Sequence, residues 1–466
     1  MGYLPNFPRL GIYSDQGMVP SARRSESRLF LVILALSAFH VLFLAIDRRI
    51  PPDGSAFAPG GLLQAALPWG GPFLRGMSLV GMLLEELLLL VGLWRLSSRY
   101  FHSPAARFFV SAAGAGSSLW VDPGAPTLRL FAALPLLLSL SHDLLESASR
   151  RPLLLGGALL VLHAMGKSLA VTLAVPAAVA LYVAVVHRGA LERLKSWGAA
   201  EKITVAAAVG LAAAVAWFTG PGGFAGSGPG RPFQIVDLLF GLSLSTGMAS
   251  YCGILTAAFA VLALSQVESA RPVGIVLVAL TAIGLLVPVL FPLLRLFLIV
   301  LSGFGFQAAV DRRFGTGRSV RVVAAGLALA AVVLGAATEL LIVDSEANLR
   351  FSRALSLLLE PSPTVTDVVG FSAMTAALAA GILVLWSSGP RGAPLALGLA
   401  LFLHSLDVFG WKFRMAWLNT IRLVPEAGLP SPSMAWPWGA ALGLLSLFWI
   451  VWTVRETARI ARGAPA

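Results

Sequence analysis

Charged side chains are scarce in this sequence of 466 residues. Asp, Glu, Lys and Arg together make up 12% of the chain, against about 25% in a typical soluble domain. Hydrophobic residues make up 57%. A water-soluble fold could not cover such a chain with polar surface, whereas a bilayer solvates it readily. The composition therefore excludes an ordinary soluble protein and favours an integral membrane protein.

Several motifs are absent as well. Cys252 is the single cysteine, which excludes an intrachain disulfide and a cysteine-based metal site. Neither a Walker GxxxxGK[ST] motif nor HExxH occurs, so an ATPase subunit and a zinc protease of that kind are excluded. The glycine-rich run 222–230 precedes no buried helix and is interpreted as a loop. No signal peptide is recognised in the polar segment 1–28, and no internal repeat is apparent.

Long apolar runs dominate what is present. A spanning helix needs about 20 mostly apolar residues, and fourteen runs approach or reach that length. The fold class predicted is all-α, a polytopic transmembrane helix bundle with 12–14 spans, because three of the runs are short enough to tilt or to re-enter. The predicted spans are 29–46, 76–95, 108–121, 127–143, 153–166, 168–187, 203–219, 250–267, 272–289, 291–309, 322–343, 371–388, 393–410 and 436–454, of which 108–121, 127–143 and 153–166 are the short ones.

The basic residues predict the orientation. The net charge is +12, and most of the lysines and arginines lie between alternate predicted spans, as the positive-inside rule requires of cytoplasmic loops. This pattern explains the charge better than nucleic-acid binding does. We expect both termini, 188–202 and 311–321 on the cytoplasmic side, with 220–249 outside. The composition, rich in Ala, Leu, Gly and Arg, favours a bacterial inner membrane.

Four predicted outer segments are longer than a turn. In most of them, apolar and polar residues alternate at helical spacing beside a Pro- or Gly-rich break, which predicts helices lying in the membrane interface. These segments are 47–75, 220–249, 344–370 and 411–435.

Ionisable residues inside apolar runs are candidates for function, because a charge at the bilayer centre costs roughly 2.5–3.5 kcal/mol on insertion scales. Glu85 and Glu86 are the clearest case, and either a proton or ion site or a structural carboxyl bonded to a neighbouring helix would explain them. Adjacent residues point about 100° apart, so one can face protein while the other faces elsewhere. His404 and Asp407 share a helix face but lack a third metal ligand nearby, which favours a packed polar pair.

Two basic residues within or beside spans could bind an anion. Arg295 lies in the run FPLLRLFLIV, and Lys167 lies at a tight turn, HAMGKS. Each would either bind an anionic ligand near the outer face or neutralise a carboxylate such as Glu339.

Acidic residues occur in two successive outer loops. Asp47 directly follows the first predicted span, and the same loop continues to Asp53 in IPPDG. The next outer turn, WVDPGAPTLR, carries Asp122 and Arg129. Carboxylates at the mouth of a membrane cavity can act as a general base or hold a divalent cation. The sequence does not distinguish between these two roles for the acidic residues of the loops. Arginines nearby can neutralise a phosphate.

This pattern resembles the GT-C superfamily of polytopic glycosyltransferases, which use polyprenyl- or dolichyl-phosphate sugars as donors. The family places an acidic residue in the first outer loop, in patterns such as P-x-D-E-x-x-Y, and IPPDGSAFAP is similar to that pattern. The resemblance covers about 29–200, including the short paired runs of 108–187. Gly54 stands where the family has a second acid, and Ala or Phe stands at the Tyr position. Because of these departures, three alternatives stay open: the chain works without a metal, it uses a different acceptor, or it is a non-catalytic relative of the family.

The resemblance implies an integral membrane glycosyltransferase that works at the outer face of the membrane. Asp53 takes the catalytic aspartate position, with Asp47 and Asp122 as the further acidic candidates. Arg129, Arg295 and Lys167 are the candidates for the donor phosphate. The partners are a polyprenyl-phosphate-linked sugar, membrane lipid and an acceptor that the sequence leaves open; a divalent cation is the one cofactor considered.

The resemblance divides the chain into four parts: a cytoplasmic segment 1–28, an N-terminal transmembrane module 29–202, a variable transmembrane region 203–454 and a tail 455–466. Two other classes of function remain. One is a transporter or flippase that uses Glu85, Glu86 and Arg295. The other is a non-enzymatic membrane assembly protein.

Overall fold

The computed structural model describes eleven segments of the chain and Leu31, and nearly all the residues in them are helical. No β-strand occurs within these segments. They are 71–118, 128–146, 150–187, 192, 195–219, 252–286, 291–311, 318–343, 365–388, 392–405 and 407.

Twelve α-helices lie in these segments, in the order α1 to α12. Two 3-10 turns, Leu128–Phe131 and Glu268–Ala270, precede α3 and α8. The helices are Gly71–Tyr100, Pro104–Ser118, Leu134–Glu146, Arg151–Ala164, Leu169–Val186, Ala199–Thr219, Ile254–Gln266, Arg271–Leu286, Phe291–Val310, Arg318–Val343, Val365–Ser387 and Gly392–Ser405.

The predicted helices are confirmed in the described part of the chain. Each of the twelve runs from 76–95 to 393–410 corresponds to one helix, with ends that differ by a few residues. The predicted first and last spans, 29–46 and 436–454, lie outside the described residues apart from Leu31. Two predicted outer segments are shorter than expected, because α1 already begins at Gly71 and α11 at Val365. The rest of the predicted interfacial helices lie outside the described residues.

The helices differ in whether they are long and apolar enough to span a bilayer. In the described part of the chain, α5, α6, α9 and α10 are long and apolar enough to cross a membrane. Helices α2, α3 and α4 have 15, 13 and 14 residues, or about 20 Å each at 1.5 Å per residue, against a hydrocarbon core of about 30 Å. These helices correspond to the three apolar runs that the sequence analysis identified as short. Helices α7 and α8 meet at a bend of 112° around the second 3-10 turn.

The centre of the bundle is α9, which packs on α2, α7 and α8. Its apolar window is 89% buried, whereas those of α6 and α10 are 11% buried. Helices α1 and α3 pack on each other beside α2, and α10 pairs with α11 at the periphery. Apolar helices that expose most of their surface are what a bilayer requires, because lipid solvates leucine and valine as well as a protein core does.

Glycines allow the closest helix contacts. A Cβ at Gly92 of α1 would lie 2.7 Å from the backbone nitrogen of Leu136 on α3, and one at Gly305 of α9 would overlap the backbone of Phe259 on α7. Small residues let backbones approach and so increase van der Waals contact, which is the main packing force between helices in lipid. The N-terminal and C-terminal regions predicted from the sequence pack together here, since α9 and α12 both contact α2.

Candidate functional site

The structure describes only part of the predicted site. Asp47, Asp53 and Asp122 lie outside the described residues. Arg129 belongs to the 3-10 turn Leu128–Phe131, which contacts α1, α2, α5 and α9. Lys167 and Arg295 are described with their side chains, and both are buried, with Arg295 1% exposed.

Lys167 forms a buried ion pair with Glu85. Its ammonium contacts Glu85 Oε1, and the two side chains are 8% and 5% exposed. Lys167 occupies the turn between α4 and α5, where Gly166 adopts a positive φ of 71° that favours glycine. Ser168 then caps α5 by accepting a hydrogen bond from the Val171 amide at 3.4 Å. The turn therefore holds the lysine against α1.

This pairing answers one question that the sequence left open. Lys167 neutralises a carboxylate, as one interpretation proposed, and the partner found is Glu85; the Glu339 side chain lies outside the described part of the structure. Glu86 is also buried, at 1% exposed, so both adjacent carboxyls lie inside the protein. Adjacent side chains point about 100° apart on a helix, but both can be buried here. Helices α2, α3 and α9 all pack against α1 and cover more than one of its faces.

A buried histidine lies on the same side of the bundle. His163 is 5% exposed, in the last turn of α4 and four residues before Lys167. Within the described residues, its Nε2 has no hydrogen-bond partner. Glu85, Lys167 and His163 thus bring polar groups from α1 and the α4–α5 turn into an apolar interior.

His404 and Asp407 bind different partners. Nε2 of His404 donates to the Phe109 carbonyl at 3.2 Å, and its ring stacks on that of Phe109 with 3.9 Å between centroids. Asp407 Oδ2 accepts from the Ile254 amide at 2.9 Å. Both residues thus have structural roles. Within the described segments, no group of three or more His, Cys, Asp or Glu residues is placed to hold a metal.

A second polar cluster lies at the C-terminal end of α1, and sequence reasoning missed it. His142 Nε2 lies 2.7 Å from the Tyr182 hydroxyl and 3.3 Å from that of Tyr100, and the two hydroxyls contact each other. The His187 ring packs edge-on against His142, with 4.3 Å between centroids. These side chains join α1, α3 and α5 into one buried network.

Charged residues surround that network. Asp143 Oδ2 accepts from Arg95 at 2.6 Å, Asp143 also pairs with Arg99, and Glu146 lies 3.3 Å from Arg99. The spacing of the arginines, four apart on one helix, and of the acids, three apart on another, was the signal available in the sequence. We call this end of the bundle the basic end, defined by Arg95, Arg99, Asp143, Glu146 and Arg151.

The two clusters are far apart. Fifteen residues of α1 separate Glu85 from Tyr100, about 22 Å at 1.5 Å per residue. The described chain thus has one polar cluster at the middle of α1 and another at its C-terminal end.

Comparison of the chain with protein-family models, with curated proteins and with solved structures finds no match.

Proposed function

We propose that the chain is a multi-span protein of a bacterial inner membrane that transfers a sugar from a polyprenyl-phosphate donor to a lipid, glycan or protein acceptor at the outer face. The four described helices that are long and apolar enough to cross a membrane support the location. The observation that carries the proposal further is the buried Lys167–Glu85 pair, which places a cation among apolar helices.

The described flanks of the second acidic loop point toward the end of the bundle that holds Lys167. Helix α2 begins beside the basic end, where the Ser103 amide donates to Gln307 Oε1 at 3.0 Å, and runs to Ser118. Helix α3 returns to the basic end at Glu146, which pairs with Arg99. The connection that carries Asp122 therefore joins two helix ends that lie away from the basic end.

The first acidic loop precedes α1, whose start lies beyond Glu85, away from the basic end. The transfer chemistry requires a cation, for which we propose Lys167 in the α4–α5 turn, and a carboxylate, for which we propose the predicted acidic loops. The cation balances the donor phosphate, and a carboxylate accepts the proton of the acceptor.

In the proposed reaction, the acceptor hydroxyl or amine attacks the anomeric carbon of the sugar. The bond from that carbon to the phosphate oxygen breaks, and polyprenyl phosphate leaves. Asp53 takes the proton of the acceptor, while Asp47 and Asp122 position groups or hold a divalent cation. Arg129, Arg295 and Lys167 are the candidates for the phosphate charge, and Lys167 would then exchange its contact with Glu85 for one with the donor.

Sugar transfer by the purified chain tests this proposal. We expect wild type to transfer sugar from a polyprenyl-phosphate donor, and Asp53→Asn to be slower by about 10²–10⁴-fold, because the amide accepts no proton. Arg295→Lys should weaken donor binding, measured as a higher KM, because lysine lacks the guanidinium fork. The free energy lost in donor binding should exceed the free energy of unfolding lost, which is measured by thermal unfolding.

The matched control is Glu268→Gln. Glu268 is an acidic residue whose side chain is 80% exposed, outside the three acidic candidates, so its loss should leave the rate unchanged. Equal transfer by wild type and Asp53→Asn would remove Asp53 from the mechanism. Failure of the wild type with every donor would contradict the transferase proposal.

Transport of a lipid or small solute is the second candidate. The observation in its favour is the set of buried ionisable residues in apolar helices, namely Glu85, Glu86 and Arg295, because intramembrane charges commonly mark ion or substrate pathways. Uptake or lipid flipping by reconstituted vesicles, abolished by Glu85→Gln and Glu86→Gln together at normal expression, would support it. Absence of both activities would favour a non-catalytic assembly role.

A further inference from the structure

A groove opens at the basic end between α1, α3 and α4. It has a volume of about 450 Å³, within the ~300–1,000 Å³ range of small-ligand sites. Its lining includes two arginines, Arg95 and Arg151, two acids, Asp143 and Glu146, and the apolar side chain of Leu155. The groove thus presents cations and anions side by side at the edge of an apolar helix.

Helix α4 continues the groove as an apolar stripe. Arg151, Leu155, Ala158 and Leu162 are all exposed, and their spacing of four, three and four residues places them on one helix face. Leu155 and Leu162 are 59% and 53% exposed. The stripe from Arg151 to Leu162 is about 16 Å long at 1.5 Å per residue, which is about half of a ~30 Å hydrocarbon core.

The exposed charges could reach a molecule in the groove. Arg95 is 46% exposed although it bonds Asp143. Glu146 is 37% exposed, contacts Arg99 at 3.3 Å and also lines the groove. An anionic group alone would meet Asp143 and Glu146 as well as the arginines. A group that carries both signs can bond Arg95, Arg151 and Glu146 together, in addition to the contacts that these side chains already make.

We propose that this groove binds the headgroup of a zwitterionic phospholipid that ends in a primary ammonium, such as phosphatidylethanolamine. Its phosphate lies between Arg151 and Arg95, its ammonium donates to Glu146, and its acyl chains lie along Leu155 and Leu162. This site is separate from the Lys167–Glu85 pair, since Arg95 lies ten residues from Glu85 on α1, about 15 Å at 1.5 Å per residue. It depends on the chain lying in a membrane and not on the chain being an enzyme.

The choice between lipids follows from their hydrogen-bonding groups. A primary ammonium has three N–H donors, whereas the trimethylated ammonium of phosphatidylcholine has none. Phosphatidylglycerol carries the phosphate without a cation and leaves Glu146 beside a net negative charge. Hydrogen bonds to charged groups contribute about 1.5–3 kcal/mol, so the site should prefer phosphatidylethanolamine to phosphatidylcholine by about tenfold or more.

The experiment uses the purified, delipidated full chain, titrated with phosphatidylethanolamine, phosphatidylcholine or phosphatidylglycerol and followed by native mass spectrometry. Wild type should bind phosphatidylethanolamine most tightly. Glu146→Gln should bring its preference over phosphatidylcholine close to one. Arg151→Gln should weaken the binding of all three lipids, and Arg151→Lys should restore most of it, which separates a charge effect from misfolding.

The chain supplies a matched control at the start of α8. Arg271 is also followed by proline at the head of an apolar helix, and it lies 3.9 Å from Glu268, but neither residue lines the groove. Arg271→Gln and Glu268→Gln should leave lipid binding unchanged. The proposal is overturned if wild type retains no lipid, or if it binds phosphatidylglycerol more tightly than phosphatidylethanolamine. Unchanged selectivity in Glu146→Gln, or equal losses in Arg271→Gln and Arg151→Gln, would overturn it as well.

Discussion

Lys167 and Glu85, separated by 82 positions in the chain, form an ion pair that the fold almost completely buries. The pair joins the turn between α4 and α5 to the middle of α1. Because each charge would be costly alone in an apolar interior, the two side chains depend on each other. Substitution of one partner alone should therefore lower the free energy of unfolding more than substitution of both.

Replacement of Lys167 by methionine should destabilise the protein strongly. Removing one partner of a buried pair typically costs about 3–5 kcal/mol, because the other charge stays buried and uncompensated. The double variant Glu85→Leu/Lys167→Met should recover much of this loss. Thermal unfolding in detergent measures the effect.

Lys195→Met is the control for that substitution. Lys195 also pairs with a glutamate, Glu192 at 3.2 Å, but both side chains are more than 70% exposed. An exposed pair contributes about 0–1 kcal/mol, so the melting temperature should hardly change. Similar losses for Lys167→Met and Lys195→Met would contradict the assignment of a buried pair.

Substitution of Gly305 by alanine should disrupt the packing of α9 on α7. The added Cβ would lie 2.8 Å from the carbonyl carbon of Phe259, and backbone atoms cannot move aside as a flexible side chain can. Overpacking of this kind typically costs about 1–3 kcal/mol. Gly335→Ala in α10 is the control, because no described atom, apart from its own neighbouring residues and helix backbone, lies within 4 Å of its Cβ position. A neutral Gly305→Ala would be evidence against this helix contact.

Asp407 should stabilise the start of α7. The residue before that helix, Gly253, has a φ of 98° and provides no side-chain cap, so the Ile254 amide bonds instead to Asp407 from a distant part of the chain. Loss of a helix cap costs about 0.5–2 kcal/mol. Asp407→Ala should therefore lower the melting temperature, and Asp407→Asn, which keeps an acceptor oxygen, should lower it less. Equal effects of the two substitutions would exclude the capping role.

Cysteine labelling tests the predicted orientation. Cys252→Ala removes the single cysteine, and a new cysteine is then placed at Ser196 or at Ser227. Ser196 is exposed and follows Lys195 in the segment predicted to be cytoplasmic, whereas Ser227 lies in a predicted outer segment. A membrane-impermeant thiol reagent added outside intact cells should label position 227 and not 196. The reverse pattern would overturn the orientation.

The helices could be predicted because they follow from local properties. An apolar run of sufficient length satisfies its backbone hydrogen bonds internally and excludes water, whatever its neighbours are. This reasoning located α5, α9 and α10 closely. It placed the start of α11 six residues too late, since Thr366, Asp367 and Gly370 are typical of a loop although they belong to the first turns of the helix.

The partners of the polar residues could be predicted only in part. The sequence indicated that Glu85 and Glu86 form either a proton or ion site or structural carboxyls bonded to a neighbouring helix, and that Lys167 could neutralise a carboxylate. It did not indicate that the two bind each other, because a pair separated by 82 positions leaves no periodicity. The Tyr100–His142–Tyr182 network was missed for the same reason, since each residue looks ordinary within its own helix.

Composition and run length by themselves determined that this chain is helical and suited to a bilayer, because those properties are sums over neighbouring residues. Tertiary structure alone decided which charges meet. It also set α9 at the centre, with α6 and α10 outside, although all three helices are similarly apolar. Apolarity allows a helix to contact either lipid or protein, and only the small residues and polar pairs that match across a helix contact determine which one it meets.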